Sequence, residues 1–346
     1  MTYKFINKIQ IKYNPSVVEY SSRYQLFICG TYQLVDQNTD QISEETLKRV
    51  NNRLGNLLLI SRSNQLVEEY ECFDGGVFDI KVFDFDGGED RIIVAHSNGF
   101  VAIYSIDLSD TRLKTIRRYS TNSSLLTCLE IINKELAVVG SSEGQILSID
   151  LSDETTQQLS VTKFSEPIWT LFCRKLSDKY LLFVGSDDSL WRIYCFHDLS
   201  EQLLTDLKPI HTNNDSKAGI TSFGSDFSSD TELSLIVGSY DELIRFYSIE
   251  FLGKEVKVSL KQKLHIPESG IWRIMWRKAI KDTLLVSGMY SGAHIITESK
   301  VIQTLDPMDN KSDEKHLIYG SNCDSNMDKI LISSFYGKNV YLFSKT

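Results

Sequence analysis

The chain has 346 residues, 42% of them hydrophobic and 24% charged, and carries 37 Lys and Arg against 46 Asp and Glu for a net charge of −9. That acidic balance, with no Lys/Arg cluster, argues against a nucleic-acid surface and suits a cationic partner. Five prolines and no Pro-rich or Ser/Gly-rich tract argue against a long disordered arm.

The opening "KFINKIQIKY" alternates apolar and polar residues, as a strand does, and has neither the charge nor the apolar run of a signal or transit peptide. "LFICGTYQLV" and "RLGNLLLISR" follow as two further strands, separated by a polar insertion at Val35 to Arg53. From there one unit recurs: a short apolar strand, then a hairpin with a polar turn. The short strands are "GGVFDIKVF", "LLTCLEII", "PIWTLF", "GITSFG" and "GIWRIMW". The hairpins place a small residue before each turn, at Ala95, Gly140, Gly185, Gly238, Gly288 and Ser333, with separations of 45, 45, 53, 50 and 45 residues. Polar stretches at Asp198–Lys217 and Asp306–Lys315 read as solvated connections.

A hairpin recurring every 40–50 residues, one four-stranded sheet per period, predicts an all-β, seven-bladed β-propeller. One domain over residues 1–346 is expected, with strand 3–13 closing the ring against the last blade at 317–345. Helix content is expected to be minimal. The period resembles that of the WD-repeat family, although the usual Trp-Asp ending is replaced by Tyr104-Ser105, Tyr194-Cys195, Tyr247-Ser248 and Ile296-Thr297. The six cysteines show no C-x-x-C pair and read as reduced thiols. No stretch approaches a membrane span, so a soluble, cytoplasmic and monomeric protein is expected.

In a blade of this type the hairpin turns and the blade-to-blade loops emerge at one end of the channel. His96, Asp187, Asp188, Tyr240, Asp241, Glu242, Tyr290 and Tyr336 therefore converge with Asp74, Phe78, Glu166, Trp169, Glu268 and Trp272 on one acidic, aromatic rim. Asp188 and Asp241 also suit turns that bond neighbouring backbone N–H groups. Trp169 and Trp272 read first as wedges between blades. "GSSEG" around Ser142 matches G-x-S-x-G, but that pattern needs a strand-to-helix elbow and here both flanks are strands. His265 and His316 are weaker catalytic candidates that read first as structural, and His294, within an alternating strand, reads as structural. No metal-ligand spacing, phosphate-cradling loop or dinucleotide fingerprint occurs, so no metal and no cofactor are expected. The residues alone describe a binding platform, since fold does not set activity.

"CGTYQL" (Cys29–Leu34), "GSYDE" (Gly238–Glu242), "GIWRIMW" (Gly270–Trp276), "MYSGAHI" (Met289–Ile295) and "HLIYGSNC" (His316–Cys323) resemble, in order and blade, the WD-repeat diphthine methyl ester hydrolases of diphthamide biosynthesis. "YGSNC" departs from that family's acidic-aromatic ending, which argues against essential chemistry at Cys323. The resemblance implies a methylesterase acting on translation elongation factor 2, whose modified histidine carries a trimethylammonium group and a methyl ester. With that substrate, His96 or Asp241 is the expected base, and Arg273 or backbone N–H groups hold the oxyanion. Ser142 or Ser239 would serve a serine mechanism. Tyr240, Glu242, Glu268, Trp272, Tyr290 and Trp169 are the expected substrate contacts. The alternative is a non-catalytic scaffold in trafficking or translation-related assembly.

Overall fold

A computed structural model describes residues 2–36, 42–85, 88–107, 109–123, 125–152, 159–176, 179–196, 208–226, 232–252, 255–276, 280, 282–306 and 316–346. Much of the connections at Asp198–Lys217 and Asp306–Lys315, and part of the Val35–Arg53 insertion, lie outside these residues.

Seven antiparallel sheets form a closed ring. Blade 1 runs outward from the channel as Asn14–Ser21, Leu26–Leu34, Asn56–Ser61 and Leu66–Glu71, with the two-residue strand Arg53–Leu54 on its second strand. The inner strands of blades 2 to 7 are Val77–Asp84, Leu126–Ile131, Ile168–Leu176, Ile220–Asp226, Ile271–Trp276 and Ile318–Cys323. In blade 7 the outermost strand is Tyr3–Gln10, paired antiparallel with Asn339–Lys345 from Tyr3↔Lys345 to Gln10↔Asn339. The closing strand thus ends at Gln10, and Ile11 adds one more bond from its N–H to Lys338 O. The helix Glu44–Arg49 lies inside the insertion of blade 1, capped by the Ser43 hydroxyl on the Thr46 N–H. Among the described residues no helix is long and apolar enough to cross a membrane.

The core is divided by the ring. Seven apolar clusters each straddle two neighbouring blades, as where Leu181, Phe183 and Ile193 of blade 4 meet Leu235, Val237 and Ile249 of blade 5. Second strands such as Leu136–Ser141 are buried along their whole length, because both faces pack against a blade. The recurring small residue follows from that packing. A Cβ on Gly185 would lie 2.6 Å from Ile220 Cγ2, and one on Gly238 2.6 Å from Ile271 Cγ2. The head of the next inner strand approaches so closely that a side chain there would displace it.

The closing strand supplies the fourth strand of blade 7 and covers the outer edge of Asn339–Lys345. Deleting residues 1–10 is expected to lower the melting temperature by about 5 °C or more and to cause concentration-dependent association, read by thermal unfolding and size-exclusion chromatography. A truncated chain that stays monomeric at an unchanged melting temperature contradicts this role.

Candidate functional site

Every inner strand begins with the same irregularity. The register against the second strand shifts by one residue after Pro15, Val77, Leu126, Ile168, Ile220, Ile271 and Ile318. The extra residues are Ser16, Phe78, Thr127, Trp169, Thr221, Trp272 and Tyr319. A bulge re-aims its side chain out of the ladder, and here it does so at the end of the channel where the hairpin turns emerge, since Val77 pairs with His96 and Ile220 with Ser239. The three hydroxyl residues fasten neighbouring blades: Ser16 Oγ donates to Val77 O at 2.6 Å, Thr127 to Ile168 O and Thr221 to Ile271 O.

The four aromatic residues join an arc of rings at the mouth. Trp169 meets Trp272 with centroids 6.0 Å apart, Trp272 stacks on Tyr319 at 4.9 Å, and Tyr319 meets Phe335 at 4.9 Å. Phe335 meets Tyr32 at 4.9 Å, and Tyr32 stacks on Phe78 at 4.5 Å. Tyr240 of blade 5 packs on Trp272 at 5.8 Å. Burial pushes the Tyr240, Tyr319 and Tyr32 phenols up, so they remain protonated at neutral pH.

Beside this arc, over blades 5 to 7, opens a pocket of about 630 Å³ lined by Tyr240, Glu242, Glu268, Gly270, Met289, Tyr290 and His316. Tyr290 is 57% exposed and forms an outer wall. Glu242 (φ +66°) and Glu268 (φ +58°) both hold left-handed backbone. The position of Glu242 in its hairpin turn is filled by Gly99, Gly144 and Gly292 in blades 2, 3 and 6, also at positive φ. A side chain in that conformation carries strain, a condition that clusters at functional sites. Glu242 Oε2 lies 2.9 Å from His265 Nε2 at the rim. His316 Nδ1 is 2.8 Å from the buried Ser334 Oγ, and the residue lines the pocket.

The structure therefore brings Tyr240, Glu242, Glu268 and Tyr290 around one cavity, with Trp272 behind them and Trp169 next to it, its Nε1 donating to Asp187 Oδ1 at 2.9 Å. The three residues expected to be catalytic sit elsewhere. His96 is 0% exposed and held between Gly75 O (3.3 Å) and Tyr104 Oη (3.1 Å), and burial lowers its pKa to about 4. It supports its blade and does not reach the mouth. Asp241 binds Arg245 through both oxygens, at 2.9 and 2.6 Å, and accepts the N–H groups of Lys217 and Leu243. Burial pushes its carboxyl up, but Arg245 and those N–H groups together hold it below the ordinary range. Its carboxylate is committed to the turn, as is that of Asp188, paired with Arg192 at 2.6 Å. Arg273 lies below the aromatic arc, inside the channel, and binds Asp79 of blade 2 across the axis at 3.1 Å.

Ser142 lies in the strand-to-strand turn between Leu136–Ser141 and Gln145–Asp150, and the Ser239 hydroxyl donates to Ala218 O. Cys323 is buried, with Sγ 3.6 Å from Met275 Sδ. Sequence reasoning ranked His316 below His96, because only the path of the chain from blade 6 to blade 7 carries it to the pocket. It passed over Tyr319, whose signal was present: it is the second residue of its inner strand, as Trp169 and Trp272 are of theirs. The D-x-x-x-R spacing of "DSLWR" and "DELIR" was a legible sign of the two turn ion pairs.

The channel beneath the arc is a second cavity, of about 390 Å³, lined by inner-strand residues including Glu19, Asp79, Lys81, Glu130, Ser222 and Arg273. Lys81 Nζ lies 3.7 Å from Glu130, whose pKa burial raises to about 7 against the opposing pull of Lys81.

No family model matches this chain. A curated protein of Dictyostelium discoideum named diphthine methyltransferase homolog is 26% identical over 336 residues, covering 86% of this chain and 84% of that protein. Among solved structures, the β-propeller domain of Myceliophteria thermophila Cps50 (Swd1) superimposes with a TM-score of 0.71 at 12% identity over the full length of both chains. That likeness carries the propeller fold of WD type and nothing of activity.

Two outcomes test the structural work of these residues. Asp241→Ala leaves a buried guanidinium unpaired and is expected to cost about 3–5 kcal/mol, measured by urea unfolding; a loss below about 1 kcal/mol contradicts the assignment. His96 and His294 are both depressed from 6.5 to about 4 by burial. Unfolded, each takes a proton below pH 6.5; folded, each stays neutral until about pH 4. Their contribution to stability is thus complete above pH 6.5 and is lost as pH falls toward 4. His96→Asn combined with His294→Asn is expected to flatten the stability profile across that window, and an unchanged slope refutes the assignment.

Proposed function

We propose that the pocket at the mouth hydrolyses a methyl ester on a cationic side chain presented by another protein, namely the methylated diphthine of translation elongation factor 2. The observation that carries this reading is the donor set of the pocket: Tyr240 and Tyr290 faces, Glu242 and Glu268 carboxylates and the His316 imidazole around one cavity. The name of the Dictyostelium relative, diphthine methyltransferase homolog, supports the pathway. It concerns transfer of the methyl group, where the reading here is its removal.

A trimethylammonium group has no N–H to donate, so aromatic faces and nearby carboxylates are the groups that hold it. Each cation–π contact contributes about 0.5–2 kcal/mol, according to how dry the site is. With the cation against Tyr240, Tyr290 and the two glutamates, the ester lies toward His316. Nε2 takes a proton from water as the water oxygen bonds to the ester carbon. The Tyr240 hydroxyl, kept protonated by burial, donates to the oxyanion that forms. When the tetrahedral species collapses, the C–O bond to the methoxy group breaks and the imidazolium returns its proton to that oxygen. The products are methanol and a carboxylic acid, which loses its proton to water as the carboxylate, with no methyl donor consumed.

Incubating the purified protein with methyl-esterified elongation factor 2 is expected to release methanol, with the free carboxylate seen by mass spectrometry. His316→Ala is expected to lower kcat by about 10²–10⁴, whereas Glu268→Gln and Tyr290→Ala raise KM. Absence of methanol from the wild-type reaction, ester formation on the unesterified factor driven by added S-adenosylmethionine, or full kcat in His316→Ala would each overturn the reading.

A further inference from the structure

The mouth face has a second charged region, unlike the first. Phe73, in the connection from blade 1 to blade 2, is 55% exposed and lies between two guanidinium groups, Arg49 at 4.0 Å and Arg118 at 4.5 Å from its ring centroid. Both cations are held in place. Arg118 Nε donates to the buried Asp74 carboxylate at 2.7 Å, and Arg49 Nη1 donates to the Phe73 carbonyl. Lys48 extends the region from the same last helical turn, and Arg53 follows on the strand after the insertion. Among the described residues, Lys48, Arg49 and Arg53 have no carboxylate within ion-pair distance, although the whole chain is acidic. The region is continuous with the mouth: Gly76 packs between Tyr32 and Arg53, and Tyr32 belongs to the aromatic arc.

A half-exposed aromatic ring gripped by fixed cations leaves apolar surface that folding of this chain does not cover. Phe, Tyr and Arg are the residues enriched where protein surfaces meet. With the Glu242 and Glu268 carboxylates at the pocket on one side and Lys48, Arg49 and Arg53 of blade 1 on the other, the face is bipolar.

We propose that the Lys48–Arg49–Phe73–Arg118 region docks an acidic segment of the same protein that presents its cationic side chain to the mouth. This rests on the reading of the mouth as an entry site for a protein-borne cation, and it adds the second contact that orients that partner. The occupant is an acidic polypeptide because the cations are fixed and the ring between them offers an apolar anchor. Contacts of this kind act on encounter and orientation, and salt screens them.

The test compares two substrates: the intact esterified elongation factor and a short synthetic peptide carrying only the esterified residue, which does not reach the second region. Lys48→Glu with Arg49→Glu, and separately Phe73→Ala, are expected to raise KM for the intact factor about tenfold, with kcat unchanged and with peptide hydrolysis unchanged. Raising the ionic strength is expected to narrow the difference for the charge-reversed variant. Unchanged KM for the factor, or equal losses on factor and peptide, overturns the proposal. Where the wild type hydrolyses neither substrate, the methylesterase reading fails by itself. Calorimetric titration of the factor into wild type and variants then decides docking alone: weakened binding in both variants supports it and equal binding removes it. A variant that loses affinity for an RNA oligonucleotide while keeping that for the factor also overturns it.

Discussion

The pairing of Tyr3–Gln10 with Asn339–Lys345 is the interaction on which the other features depend. It joins the two ends of the chain inside one sheet, and it holds blade 7 against blade 1, where Phe27, Leu58 and Ile60 meet Leu331, Val340 and Leu342. The Tyr3 hydroxyl reinforces it by donating to Met327 O at 2.6 Å. A ring has no free parameters once closed. Blades 5, 6 and 7, which share the pocket, are set relative to one another by every other blade interface. A pocket built from three separate connections and turns is thereby held on a rigid frame, as positioned chemistry requires.

Within that frame the bulge at the head of each inner strand divides labour by residue type. Hydroxyl residues at Ser16, Thr127 and Thr221 turn back and bond the next blade, while aromatic residues at Phe78, Trp169, Trp272 and Tyr319 project to the mouth. Below them the Asp79–Arg273 pair crosses the axis from blade 2 to blade 6. A charge pair withdrawn from water is weak evidence for stability, because desolvation offsets much of the attraction. Its clear consequence is geometric: it bridges the channel under the aromatic layer, so that a side chain entering from the mouth meets rings and then fixed charges.

Polar residues at the mouth end fall into two kinds. Asp188, Asp241, Asp74 and His96 are saturated by partners of their own blade or its neighbour, so their chemistry is spent on the turn. Glu242, Glu268, Tyr290 and His316 line open space, and Glu242 and Glu268 do so from left-handed backbone, the first at a turn position that blades 2, 3 and 6 fill with glycine and blade 4 with Ser189. The contrast between groups enclosed by their partners and groups that line the pocket separates scaffold from site at positions that look alike in sequence. It also makes the face bipolar, with the Phe73 cations opposite the glutamates.

The sequence by itself determined the number of blades, the small residue before each turn, the closing strand and the convergence of turns on one rim. These depend on local periodicity and on a repeat length, both of which are written along the chain. It also named four of the residues that line the pocket, because hairpin turns occupy predictable places in a repeat. Only the tertiary structure decided which of the acidic and imidazole groups line the pocket. His96 and His316 are indistinguishable as letters. One is enclosed by Tyr104 and the Gly75 carbonyl, and the other is carried to the pocket by a connection whose course depends on how blades 6 and 7 pack. Asp241 and Glu242 are adjacent, yet Arg245 four residues on claims the first and leaves the second at the mouth. A hydrogen-bonding side chain serves as scaffold or as site according to what lies within about 3 Å of it, and that distance is a property of the folded ring.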